Sequence, residues 1–174
     1  MQEPTTDAAE VFPLISRSST PPRGVLANAV ANAFNMAMGD VEQPAPDFLD
    51  LEGMSGRRYR LFANALIQLI PHPRYLEVGV WAGSTLCSAV AGNNIQAVAI
   101  DNWSQFGGPR ERFLENLGRF KGASEVTLIE RDFREVRFVD YGRFNVTCST
   151  ARIALPISTK GSRWPFPHST LSSC

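Results

Sequence analysis

The sequence predicts an α/β fold, a doubly wound parallel sheet that is incomplete at its C-terminus and carries a helical N-terminal extension. Two observations predict it. From residue 74 to residue 130, short apolar runs alternate with stretches of helical periodicity, and each run is too continuously apolar for one of its faces to meet water. Length supports the same view: 174 residues correspond to one domain at ~100–200 residues each. With 44% hydrophobic and 20% charged residues, disordered, collagenous and membrane-embedded chains are excluded.

Residues 1–23 hold Pro4, Pro13, Pro21 and Pro22 among Ser and Thr and read as a flexible arm. Residues 24–52 read as a helical extension and loop. Val25, Leu26, Val30, Phe34 and Met38 recur at helical spacing, Gly39-Asp40 closes the helix, and Pro44 and Pro46 mark the loop. A stronger helix is expected from Ser55 to Ile70, with Tyr59, Phe62, Leu66, Leu69 and Ile70 on one side and Arg57, Arg58, Arg60, Asn64 and Gln68 on the other; Pro71 and Pro73 stop it. Strand and helix then alternate: a strand over 74–79, a helix over 84–91, a strand over 96–101, a helix over 109–120 and a strand over 125–130. Gly142-Arg-Phe-Asn-Val146 reads as the start of a fourth strand.

Charge and cysteine content narrow the function classes. Seventeen basic residues balance seventeen acidic ones and none of them form a basic run, so neither nucleic acid nor an anionic membrane is an expected partner. Cys87, Cys148 and Cys174 form no CxxC pair and have only His72 and His168 as companions, which indicates neither a zinc site nor a disulfide framework. Glu3, Asp7 and Glu10 open the chain in place of a basic region and an apolar run, and no apolar stretch reaches ~18 residues. A cytoplasmic location is the expectation.

The chemistry is expected where the strands end. Glu77-Val-Gly79-Val-Trp-Ala-Gly83-Ser-Thr85 spans the first strand-to-helix turn, where glycines permit a tight turn and close approach to a ligand. Asp101 ends the second strand, 22 residues after Gly79, the position from which a carboxylate accepts bonds from both ribose hydroxyls. Asp132 follows the third strand, where a carboxylate can take an adenine amino group. Each of these features also has a structural reading, as a packing turn or a solvated acid. Trp81 and Trp103 flank the expected mouth, either shielding a ligand or packing the sheet edge. His72 reads as a surface side chain, Arg57 and Arg58 as a solvated face, and Gly107-Gly108-Pro109 as a turn into the following helix.

The runs Tyr75-Leu-Glu-Val-Gly-Val-Trp-Ala-Gly-Ser-Thr85, Ala99-Ile-Asp-Asn-Trp103 and Glu130-Arg-Asp-Phe133 resemble the class I S-adenosylmethionine-dependent methyltransferases. The resemblance is to the branch whose first motif reads Glu-x-Gly-x-x-x-Gly-Ser/Thr; it covers about Met54 to Val146, and Trp81 stands where the commoner form has a third glycine. It implies a Rossmann-like fold over residues 53–146, S-adenosylmethionine as cofactor, and methyl transfer to an acceptor expected to be a small molecule. By the same resemblance Gly79 and Gly83 face the methionine part, Asp101 the ribose and Asp132 the adenine. Glu77, Trp81, Ser84, Thr85, Asn102, Trp103 and Phe133 complete the implied cofactor site; no catalytic residue and no metal ligand is assigned. A nicotinamide-binding unit is the rival reading, but its G-x-G-x-x-G fingerprint is absent, and Glu77 places a negative charge that suits a cationic sulfonium better than a pyrophosphate. A non-catalytic nucleotide- or adenosine-binding module is the alternative from another functional class.

Residues 147–174 break the pattern. They hold ten Ser/Thr, three Pro, three basic residues and no acid, whereas all seventeen acids precede them. The family pattern requires the fourth strand to end in an acid, commonly Asp-Gly-x-His, but Thr147-Cys-Ser-Thr150 follows Val146. If one base is restored after the Val146 codon, the genetic code permits Tyr-Leu-(Phe/Leu)-Asp-Gly-Pro-His. The expectation is therefore an irregular tail over 147–174 translated out of frame, and a C-terminally truncated form with doubtful activity.

Overall fold

A computed structural model describes residues 23–40 and 45–150. The expected arm at 1–22 and the tail beyond Thr150 lie outside the described residues. Helix α1 (Arg23–Met38) precedes a 3-10 turn at Asp47–Asp50 and helix α2 (Arg57–Leu69). Strand and helix then alternate through β1 (Arg74–Val78), α3 (Ser84–Val90), β2 (Gln96–Ile100), α4 (Arg110–Phe120) and β3 (Glu125–Ile129). Two 3-10 turns, Phe133–Glu135 and Phe138–Tyr141, lead to β4 (Val146–Ser149). The α/β class and the parallel sheet agree with the sequence.

All strand pairings are parallel and the order is β3-β2-β1-β4, so the chain winds outward from β1 first one way and then the other. That reversal makes the carboxyl ends of β1 and β4 the topological switch point, the place where open α/β sheets bind ligands. Tyr75, Ala97, Ala99 and Cys148 face α2, α3 and α4, and their core closes over Ile67, Leu86, Val90 and Phe113. On the opposite face, Leu76, Val78, Val98, Ile100 and Ile129 are covered by Phe133, Val136, Phe138, Tyr141 and Phe144, so aromatic 3-10 turns do the work expected there of helices. Truncating a fully buried aromatic such as Phe113 to Ala costs about 3–5 kcal/mol in cores of this kind.

Several expectations are corrected. In α1 the buried stripe is Ala29, Ala33 and Ala37, while Val25, Val30, Phe34 and Met38 are exposed. Small side chains at i, i+4 and i+8 let α1 approach α2 closely, which leaves the larger residues on the flanks. Arg60, placed by periodicity on the polar side of α2, is buried, while Leu69 on the expected apolar side is exposed. Arg58 is not simply solvated: it donates to the carbonyls of Ala37 and Gly39 and caps the end of α1. Strand β3 alternates between exposed and covered residues because it is the sheet edge. The fourth strand begins at Val146 rather than at Gly142, and Thr147, Cys148 and Ser149 pair with Leu76, Glu77 and Val78. Thr147–Ser149 therefore belong to the sheet, against the irregular tail expected from 147 onward, because apolar β1 needs a partner on that side.

Candidate functional site

Parallel register brings the strand ends to one edge. Val78, Ile100 and Ile129 are aligned across β1, β2 and β3, and Ser149 is aligned with Val78. The ladder continues one residue further: Gly79 N–H donates to Ile100 C=O at 2.8 Å, Asp101 N–H to Ile129 C=O at 3.2 Å, and Thr150 N–H to Val78 C=O at 3.0 Å. Gly79 and Asp101 thus begin two adjacent loops, with Thr150 beside the first of them.

The first loop turns sharply. Gly79 and Gly83 have φ of 84° and 83°, the left-handed region that glycine enters without penalty. A Cβ at Gly83 would stand 2.9 Å from the Phe113 ring, so helix α4 and this loop meet too closely for any side chain there. Between the glycines, Gly83 N–H closes a turn onto Val80 C=O at 2.7 Å. Trp81 sits at φ 48°, where a non-glycine residue costs roughly 1–2 kcal/mol. Its conformation is held from two sides.

Asp101 does most of that holding. Oδ2 accepts the Trp81 N–H at 2.8 Å and Oδ1 accepts the Trp103 N–H at 2.7 Å, so one carboxylate joins the first and second loops. The indole N–H of Trp103 donates to Trp81 C=O at 3.1 Å, and that of Trp81 donates to Phe106 C=O at 2.9 Å. Trp103 packs on Phe113, and the Arg110 guanidinium lies over its indole, 5.9 Å from the ring centroid. Both tryptophans therefore brace the site.

Glu77 lies beneath this loop and is 1% exposed. Burial pushes its carboxyl up to about 8 against the partly offsetting hydrogen bond from Tyr75 Oη at 2.6 Å; Asp101 pushes it further up, and the Leu86 N–H pulls it down. Below that pH the group is neutral, which corrects the expectation of a negative charge from Glu77; the carboxylate beside the loop is that of Asp101. Glu77 also does structural work. The N-cap of α3 is Gly83, with no side-chain cap, and the Leu86 N–H in the first turn acts on the Glu77 carboxyl. Burial of Cys87 itself, inside α3, pushes its thiol up to about 12, and Glu77 adds to the shift.

The remaining expected residues are divided. Ser84 and Thr85 are buried at the start of α3, with Ser84 Oγ 3.1 Å from Ser55 Oγ. Asn102 is exposed and its Oδ1 accepts from Ser104 N–H and Oγ. Asp132 caps the first 3-10 turn after β3 and is paired on both oxygens by Arg134, whose hydrogen bonds push it down to about 2. Phe133 covers the second face of the sheet. The structure joins Gly79, Trp81, Gly83, Asp101 and Trp103 in one hydrogen-bonded and packed unit. Asp132 and Phe133 share the edge without a hydrogen bond to that unit among the described residues.

Four contributors were not legible. Phe113 and Asn116 support the loop from α4, with Asn116 Nδ2 donating to Ala82 C=O at 2.9 Å. Thr150 Oγ1 donates to Gly79 C=O. Arg60 holds the segment before α2 by donating to Leu49 C=O, Leu51 C=O, Gly53 C=O and Ser55 Oγ, and that segment packs Gly53 against Ser84. Helical periodicity marks Arg60, Phe113 and Asn116 only as polar or apolar, and nothing local tells what each meets.

Comparison with known proteins adds little. No family model matches the chain, and no curated protein matches it. A crystal structure of a candidate RNA methyltransferase from Pyrococcus horikoshii is similar over 71% of this chain, at 14% sequence identity and a TM-score of 0.41. The match spans 59% of that protein's length. Similarity at that level says nothing of what this chain acts on. Among the described residues, no helix is long and apolar enough to cross a membrane.

Proposed function

We propose that the carboxyl edge of this sheet binds S-adenosylmethionine and that the chain carries the cofactor-binding part of an S-adenosylmethionine-dependent methyltransferase. The observation that supports this reading best is Asp101: a part-exposed carboxylate at the end of β2, tied to a tight glycine loop beside the switch point between β1 and β4. Each of its oxygens takes one backbone N–H, and a carboxylate has about four acceptor positions, so two remain for ribose hydroxyls. When bound, the cofactor supplies an electrophilic methyl group to an acceptor nucleophile. Gly79 and Gly83 give the loop the tight turn that faces its methionine end, and Asp132 meets the adenine with what acceptor capacity Arg134 leaves. Glu77 holds α3 and the loop in place from below. The acceptor is proposed to be a small molecule, because Arg57, Arg110, Arg112, Arg119, Arg134 and Arg137 are paired with acids rather than massed on a basic face.

Strand β4 favours a second reading, a non-catalytic adenosine-binding module. Val146–Ser149 carries no acid, and Thr150 is turned onto Gly79, so the described end of β4 presents no base to remove a proton from an acceptor. Calorimetry with S-adenosylmethionine, S-adenosylhomocysteine and NAD tests the cofactor, and a methyl-transfer assay separates the two readings. Binding of both sulfur ligands and not of NAD is the expected result. Asp101→Ala should weaken S-adenosylhomocysteine at least tenfold, since each charge-assisted bond contributes roughly 1.5–3 kcal/mol. Tighter binding of NAD, or an affinity untouched by that substitution, would overturn the assignment.

A further inference from the structure

We infer that Asn116 is a positioning residue for the loop from Gly79 to Gly83, fixing the orientation of the Ala82–Gly83 peptide from helix α4. Its consequence for binding rests on the cofactor reading above; its consequence for the loop does not. The argument begins with the loop's polar groups. Gly79 N–H, Trp81 N–H, Val80 C=O and Trp81 C=O are paired with Ile100, Asp101, Gly83 and Trp103. The carbonyl of Ala82 precedes the first helical acceptor of α3, since Cys87 N–H donates to Gly83 C=O and, among the described residues, no backbone N–H donates to Ala82 C=O. Ala82 itself is fully buried. Its carbonyl therefore depends on the side-chain amide of Asn116, at 2.9 Å and 34 residues away. A buried carbonyl without a donor is strongly disfavoured.

The neighbouring residue makes that dependence matter. Gly83 lies at φ 83°, and glycine is the residue least able to resist rotation of the peptide before it. Phe113, one turn before Asn116 on α4, is fully buried and fills the space against Gly83, so ring and amide hold the same peptide, one by contact and one by hydrogen bond. Asn116 thus completes from below what Asp101 does from the side. Loss of its donor frees the Ala82 carbonyl to rotate and disorders the turn that Trp81 occupies.

Asn116→Asp removes the amide donor at nearly constant volume, Asn116→Leu removes it without adding charge, and Asn116→Gln retains it. Two measurements read the result on the full chain, with near-ultraviolet circular dichroism confirming the fold. Hydrogen exchange of the ligand-free protein should accelerate at least tenfold over residues 79–83 in the Asp and Leu variants, stay unchanged over β1 and β2, and return toward wild type with Gln. Calorimetric affinity for S-adenosylhomocysteine should fall at least tenfold in the first two and recover in part in the third. Exchange that is unchanged in the loop, or that rises equally throughout the sheet, overturns the positioning role. If wild type fails to bind S-adenosylhomocysteine while loop exchange responds as stated, the cofactor reading fails and the positioning role stands. If wild type binds and all three variants bind equally well, the loop's geometry does not govern binding and the inference is overturned.

Discussion

At the scale of single residues, the fold buries an arginine and an acid, Arg60 and Glu77, by different means. Among the described residues Arg60 makes no salt bridge, and its guanidinium is satisfied by three carbonyls and a hydroxyl. Burial together with Arg57 lowers its pKa from the usual arginine value. Glu77 instead stays protonated up to about pH 8. An exposed glutamate titrates near 4.5, so the unfolded chain releases this proton earlier than the fold does. The contribution to stability is complete below about 4.5, declines as pH rises and is lost above about 8. Glu77→Gln removes the titration. Its unfolding free energy relative to wild type should shift in the variant's favour by up to about 1.4 kcal/mol per pH unit across that window. Urea titrations at pH 5, 6.5 and 8 check this; a difference that does not change with pH would show that Glu77 titrates at its ordinary value in the fold.

Among elements, α1 shows how a correct secondary structure comes with a wrong face. Val30, Phe34 and Met38 stand four apart and mark the helix, yet Phe34 is 56% exposed and Ala33 is fully buried. Spacing identifies a helix whichever of its stripes is covered; the covering depends on how near α2 can come, and alanines allow the nearer approach. Ala33→Leu should therefore destabilise by about 1–3 kcal/mol through overpacking. Phe34→Ser should change stability by less than about 0.5 kcal/mol, as exposed positions usually do. Equal losses in chemical denaturation would restore Phe34 to the interface. The central elements were more legible. Strand β1 and helix α3 lie within a residue of their expected bounds because each is bounded by proline or glycine.

For the whole molecule, the topology supplies the switch point and the sequence around β4 decides what is done there. In the reading frame as it stands, Ser149 and Thr150 end the strand where a methyltransferase edge is expected to present a carboxylate. The proposal that the frame shifts after Val146 predicts a specific nucleotide sequence: restoring one base should open a frame beginning Tyr-Leu-(Phe/Leu)-Asp-Gly-Pro-His and continuing through further strands. An early stop in that frame, or another unpatterned run, would reject it. Strand pairing does not discriminate the two frames, since β1 accepts either sequence through its backbone.

By itself the sequence determined the kind and order of the elements, the glycine turn and the acid that ends β2, because periodicity, turn chemistry and chain spacing are local properties. Only the tertiary structure decided which stripe of α1 is buried, that Arg60 and Glu77 lie inside, and that Asn116 reaches Ala82. Those outcomes depend on surfaces brought together from distant parts of the chain. Burial, protonation and hydrogen-bond partnership are set by the neighbours a side chain meets, and no local pattern records them.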